Sequence, residues 1–133
     1  MAIALVVASL AAVALLTQVE RPTPTRCRGR VLAVTANLEL AIDTSPAGAV
    51  RRVSLHGVRP AARWRSAARA WLEAAFIGRD VTAVLSPAGR TGRDGATPAA
   101  LVYRDDGLFA NEHLVDRGLA LADRTGSDTW SRW

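Results

Sequence analysis

An α+β fold is predicted from this sequence: a small antiparallel β barrel with one main helix and one short helix, preceded by an N-terminal apolar segment. Three observations lead there. From Gly29 to Asp43, apolar and polar residues alternate with period two, as half-buried strands require. Ala61 to Gly78, "AARWRSAARAWLEAAFIG", repeats its apolar residues at helical spacing instead. Short apolar runs punctuated by Gly, Pro and Asp then continue to Ala122, as further strands and a second helix would.

The chain has 133 residues, enough for one small domain and a short appendage. The appendage comes first: Ala2 to Leu16 is apolar except for Ser9. As a helix this run extends about 22 Å, short of a ~30 Å hydrocarbon core, and Thr17 to Val19 bring it closer. Ala12 and Ala14 offer a small-x-small cleavage pattern. Residues 1–20 are therefore expected to be a signal peptide or membrane anchor, with residues 1–19 meeting the membrane. No basic residue precedes the run, whereas Arg21, Arg26, Arg28 and Arg30 follow it. That flank favours a cytoplasmic domain under the positive-inside rule. Residues 21–27, with their two prolines, read as a linker.

The domain is expected over 28–122. In its first hairpin Leu32, Val34, Ala36, Leu38, Leu40 and Ile42 would share one face, with Asn37 in the turn. Asp43 to Gly48 reads as a loop, Ala49 to Leu55 as a strand, and "HGVRP" as a turn. The helix follows, with Trp64, Ala68, Trp71, Leu72, Ala75 and Phe76 as its core stripe and Gly78 just past its end. Arg79 to Leu85 and Ala99 to Tyr103 are strands around a Gly/Pro-rich loop, Ser86 to Pro98. "RDDG" turns the chain into "NEHLVDR", a short helix stopped by Gly118, and "LALA" is a last strand. Residues 123–133 show no period. Three strands, a helix, two strands and a short helix suit an oligonucleotide/oligosaccharide-binding (OB) barrel, in which closure removes exposed edges.

Composition narrows the chemistry less. The formal charge is +5, and all 17 basic residues are arginine. Guanidinium groups grip phosphate bidentately, which suits a polyanionic partner, although GC-rich coding produces the same bias. A single Cys27 cannot form an internal disulfide. His56 and His113 lie far apart in sequence, with neither CxxC nor HExxH, so no zinc site is read.

"DGLFANEHLVDRGLA", Asp106 to Ala120, closely resembles the signature of the thermonuclease (staphylococcal nuclease-like) family. "AWLEAAFIGRDV" is similar to that family's helix end, "GRVLAV" to its first strand, and "VSLHGVRP" to the strand entering its Pro-containing loop. The resemblance runs from about Arg28 to Ala122 and implies an OB-type barrel. It further implies a calcium ion held by carboxylates, a glutamate acting on the attacking water, and two arginines bracketing the phosphate. Residue by residue, those roles fall on other chemistry. The paired aspartates correspond to Ala36 and Leu38, and the first arginine to Ser54. The aspartate and glutamate of the following loop fall near Arg59 and Ala61. The second arginine is Thr97 by direct spacing, or Arg93 with an insertion. Strict alternation would also turn Glu39 away from the face shared by Leu38, Leu40 and Ile42.

The leading expectation is thus a catalytically degenerate thermonuclease-like domain, membrane-anchored or exported, acting as a binding or structural module. The family resemblance favours the extracytoplasmic side, against the arginine flank. Nucleic acid would bind weakly and without sequence preference through Arg52, Arg59, Arg63, Arg90 and Arg93. No cofactor is expected, and no protein partner can be named. The alternative is an active phosphodiesterase with relocated residues Asp43, Asp94 and Arg93, which alone would call for calcium.

Overall fold

The computed structural model describes residues 25–44, 49–86, 89, 91–92 and 95–123. The apolar segment at 1–19, and Arg90, Arg93 and Asp94, lie outside them, as does the tail from 124. The fold is α+β and mainly β. Its strands are β1 (Thr25–Val34), β2 (Leu40–Asp43), β3 (Val50–Leu55), β4 (Val58–Pro60), β5 (Asp80–Leu85), β6 (Ala99–Arg104) and β7 (Ala120–Ala122). Helix α1 (Arg65–Phe76) follows β4 through a 3-10 turn at Ala62–Trp64, and α2 (Ala110–Asp116) follows β6. Among the described residues no helix is long and apolar enough to cross a membrane.

The main sheet has the order β1-β2-β3-β6-β5, and β5 pairs back with β1. It is mixed rather than wholly antiparallel, because β3 and β6 run parallel. That seam is the thinnest of the ring, with only Ser54↔Ala99 and Leu55↔Ala100 in register. β4 and β7 form a separate two-stranded sheet, so part of "HGVRP" is strand where a turn was expected. Pairing of β1 also begins earlier than Arg28, at Thr25↔Leu85, and the last residues of the expected linker are strand.

The core falls where alternation predicts in β2, β3 and β5, with Leu40, Ile42, Val53, Val81, Ala83 and Leu85 all buried. In β1 the predicted phase is wrong in its middle. Cys27 and Val31 are buried while Leu32 is 48% exposed. The cause is a bulge: Val31 pairs with Ile42 and Ala33 with Ala41, which leaves Leu32 as the extra residue. Val31 is also claimed by the exit of α1, donating to Arg79 O at 3.1 Å and accepting from Gly78 N at 2.8 Å. Gly29 lets β1 approach β2 closely, since a Cβ there would lie 2.2 Å from Asp43 O.

Helix α1 buries Ala68, Leu72 and Phe76, with Trp71 and Ala75 half-buried against the same core. A buried Leu or Phe contributes about 1.5–3 kcal/mol, so this stripe anchors the helix. Trp64 is 45% exposed, contrary to expectation, because it belongs to the 3-10 turn, whose three-residue repeat breaks the helical phase. Arg104 closes the other end by donating from Nη1 to Ala75 O at 2.9 Å, satisfying a carbonyl of the last turn. In β7 the inner position goes to Ala120, and Leu121 is 49% exposed.

Candidate functional site: a cleft beside the Thr35–Leu40 turn

The turn from β1 to β2 is closed by its own backbone. Leu38 N donates to Thr35 O at 3.0 Å, and Thr35 N to Glu39 O at 2.9 Å. Thr35 Oγ1 accepts Glu39 N at 3.1 Å, a local side-chain bond typical of threonine in turns. Leu38 takes φ +61°, a left-handed conformation that costs a residue with a Cβ about 1–2 kcal/mol. The kink breaks the pleat, so three successive side chains turn inward: Leu38 is 2% exposed, Glu39 7% and Leu40 0%. Strict alternation had placed Glu39 on the outside. It lies inside with no slip of register, because Leu38 is a turn residue rather than a strand residue.

Glu39 borders a cleft of about 720 Å³. Asn37 and Leu38 line it from the turn, Ser54 to Val58 from β3 and β4, and Gly89, Thr91 and Gly92 from the loop after β5. That loop is pinned onto β3. Ser54 N donates to Pro98 O at 2.8 Å, and Gly92 N to Thr97 O at 2.6 Å. A Cβ on Gly92 would come within 2.6 Å of Ser54 Oγ, so only glycine fits this approach. Pro60, Ala99, Asp123 and Arg65, the first residue of α1, complete the lining.

The Glu39 carboxylate is held loosely. Thr35 Oγ1 donates to its Oε1 at 3.5 Å, and Arg52 Nη1 lies 3.9 Å from the same oxygen. Arg52 is the sequence candidate that approaches a cleft-lining side chain, Glu39, although it is not itself among the cleft-lining residues. Arg59 is exposed in β4, in register with Leu121. Arg63 sits over the Trp64 ring, 5.0 Å from its centroid. Asp43 ends β2 in register with Arg30 and Val50, and is not among the cleft-lining residues. Arg90, Arg93 and Asp94 lie outside the described residues.

Among the positions carried by the family resemblance, Leu38 and Ser54 line the cleft, whereas Ala36 is exposed and Thr97 is buried. Sequence reasoning missed Arg65 and the inward Glu39. Among the described residues no three His, Cys, Asp or Glu side chains converge as a metal site would need.

Away from the cleft, Asn111 is a buried structural hub. Its Oδ1 accepts Val102 N at 2.9 Å, and its Nδ2 donates to His56 O at 2.8 Å and Ala100 O at 3.0 Å. This residue belongs to the "NEHLV" segment on which the family resemblance was read, and its bonds are those of a scaffold.

Set against known protein families and curated proteins, the chain matches no family model and no curated protein.

Proposed function

We propose that this chain is a thermonuclease-like OB barrel that has lost phosphodiester cleavage and serves as a membrane-anchored or exported module binding single-stranded nucleic acid. The Thr35–Leu40 turn carries the reading. Where the resemblance implies an acidic metal ligand, Leu38 fills the space with an aliphatic side chain. Its neighbour Glu39 already engages Thr35, and the Arg52 guanidinium 3.9 Å away disfavours a cation at that carboxylate. Calcium takes six to eight oxygen ligands, several of them anionic, and this donor set is unsuited to it.

The barrel reading is supported by the order β1-β2-β3-β6-β5 and by the helix between β3 and β5. In OB folds the ligand meets the second and third strands and the loops beside them, and here the cleft joins the β1–β2 turn to the β5–β6 loop. Arg52 beside Glu39 and Arg65 in the lining supply phosphate contacts that carry no sequence information. The apolar run Ala2 to Leu16 supports attachment to or passage across a membrane.

Titrating labelled single-stranded DNA with the purified chain at several salt concentrations tests the binding. Weak affinity that falls steeply with salt is expected, with a log–log slope of about −0.7 per phosphate contacted. Replacing Arg52 or Arg65 by Gln should each shallow that slope by about the same increment. No binding even at low salt overturns nucleic acid as the ligand.

A further inference from the structure

We infer that the cleft seats a nucleobase, with guanine preferred, its donor edge on Glu39 and its phosphate toward Arg65; this rests on the nucleic-acid reading above. Glu39 is 7% exposed yet borders an open cleft, so its carboxylate has lost most of its water, and among the described residues it gains no short hydrogen bond or ion pair in return. Both contacts described for it fall on Oε1, at 3.5 Å and 3.9 Å, each near the outer limit of its kind. A desolvated carboxylate held this loosely favours a ligand that brings hydrogen-bond donors.

The rest of the lining restricts which donors. Leu38, Leu55, Val58 and Pro60 give the cleft apolar walls suited to the faces of a flat ring. A bare phosphate placed deep inside would meet the negative Glu39, and a metal ion would meet Arg52 and Arg65. A nucleotide avoids both conflicts, because its base can face Glu39 while its phosphate extends toward Arg65. Among the bases, guanine alone presents two adjacent N–H donors, N1–H and N2–H, which match the two oxygens of one carboxylate. Cytosine and adenine each present one amino group beside an acceptor. Thymine presents N3–H between two carbonyl oxygens, which a carboxylate repels. The predicted order is guanine first, cytosine and adenine between, thymine last.

The test uses the full chain and short labelled strands of abasic sugar-phosphate carrying one G, C, A or T. We expect the G strand to bind about tenfold tighter than the T strand. Glu39→Gln should collapse that ratio to about twofold or less, with a thermal melt confirming that the variant is folded. Arg65→Gln should weaken all four strands alike. Equal affinity for the four strands, or a G preference that survives Glu39→Gln in a folded protein, overturns the base assignment and leaves phosphate binding intact. Failure of every strand to bind, the purely abasic one included, overturns the base assignment together with the nucleic-acid reading beneath it.

Discussion

Asn111 Oδ1 accepts the Val102 backbone N–H at 2.9 Å in the buried interior, tying α2 to β6. Its Nδ2 extends the tie to His56 O in the β3–β4 turn, beside the cleft. Asn111→Ala leaves the buried Val102 N–H without its acceptor and takes a donor from His56 O and Ala100 O, the latter still accepting from His56 N at 2.9 Å, and should cost about 3 kcal/mol in urea unfolding. Asn111→Asp should cost at least as much, since a carboxylate oxygen would then face the carbonyls of His56 and Ala100. A loss below about 1 kcal/mol for both variants would show that the hub is dispensable.

Leu38 combines tight burial with a left-handed backbone, and the two effects can be separated. Leu38→Ala removes packing and keeps the backbone strain, for a loss of about 2–5 kcal/mol. Leu38→Gly removes the same packing but relieves about 1 kcal/mol of strain. Glycine should therefore be the less destabilising replacement, the reverse of their order in an ordinary strand. Equilibrium unfolding of both variants that ranks Ala above Gly would contradict the turn geometry.

Arg104 donates to Asp106 from Nε at 2.8 Å and from Nη2 at 2.5 Å. That bond holds the Asp106 carboxyl well below the usual range, helped by the Leu108 N–H and the Arg79 charge and opposed by desolvation. A depressed folded-state value means that the pair stabilises the protein above the unfolded aspartate value of about 4. The contribution is lost as pH falls from there toward the folded-state value. Asp106→Asn should accordingly lower the melting temperature at pH 7, and the gap to the parent should narrow in strong acid. High salt should shrink it as well, because the pair is exposed. A gap that stays constant with pH would rule out this origin.

Much of the fold was legible in the sequence because one period dominates each of its longer elements. β2, β5 and the body of α1 follow their patterns residue by residue. Misreadings cluster where a second contact overrides the local period. Leu32 is pushed outward because the α1 exit claims Val31. Trp64 loses the helical phase in a 3-10 turn, and Glu39 turns inward because Leu38 adopts a positive φ. The β3–β6 parallel pairing and the β4–β7 sheet join distant segments, which no local pattern encodes. The cleft was legible only in part for the same reason. Leu38 and Ser54 were placed by analogy with a family, whereas Arg65 lines the cleft beside residues far from it in sequence.

The apolar run Ala2 to Leu16 gives a prediction about location. The full chain should partition with membranes or be exported, and intact mass separates the two, since cleavage after a signal removes the run. Protease access in sealed cells then reports the side on which the folded domain lies. Full-length, uncleaved chain recovered as a soluble cytosolic monomer would contradict this prediction.

The most direct measurement of the central claim is turnover of single-stranded DNA and RNA by the purified chain, with added calcium and with chelator in parallel. Leu38 and the Glu39–Arg52 contact lead us to expect no calcium-dependent cleavage under conditions where the labelled strand is bound. Chelator-sensitive turnover that co-purifies with the protein, and that Asp43→Ala or Asp94→Ala abolishes, would contradict the account and restore the enzyme.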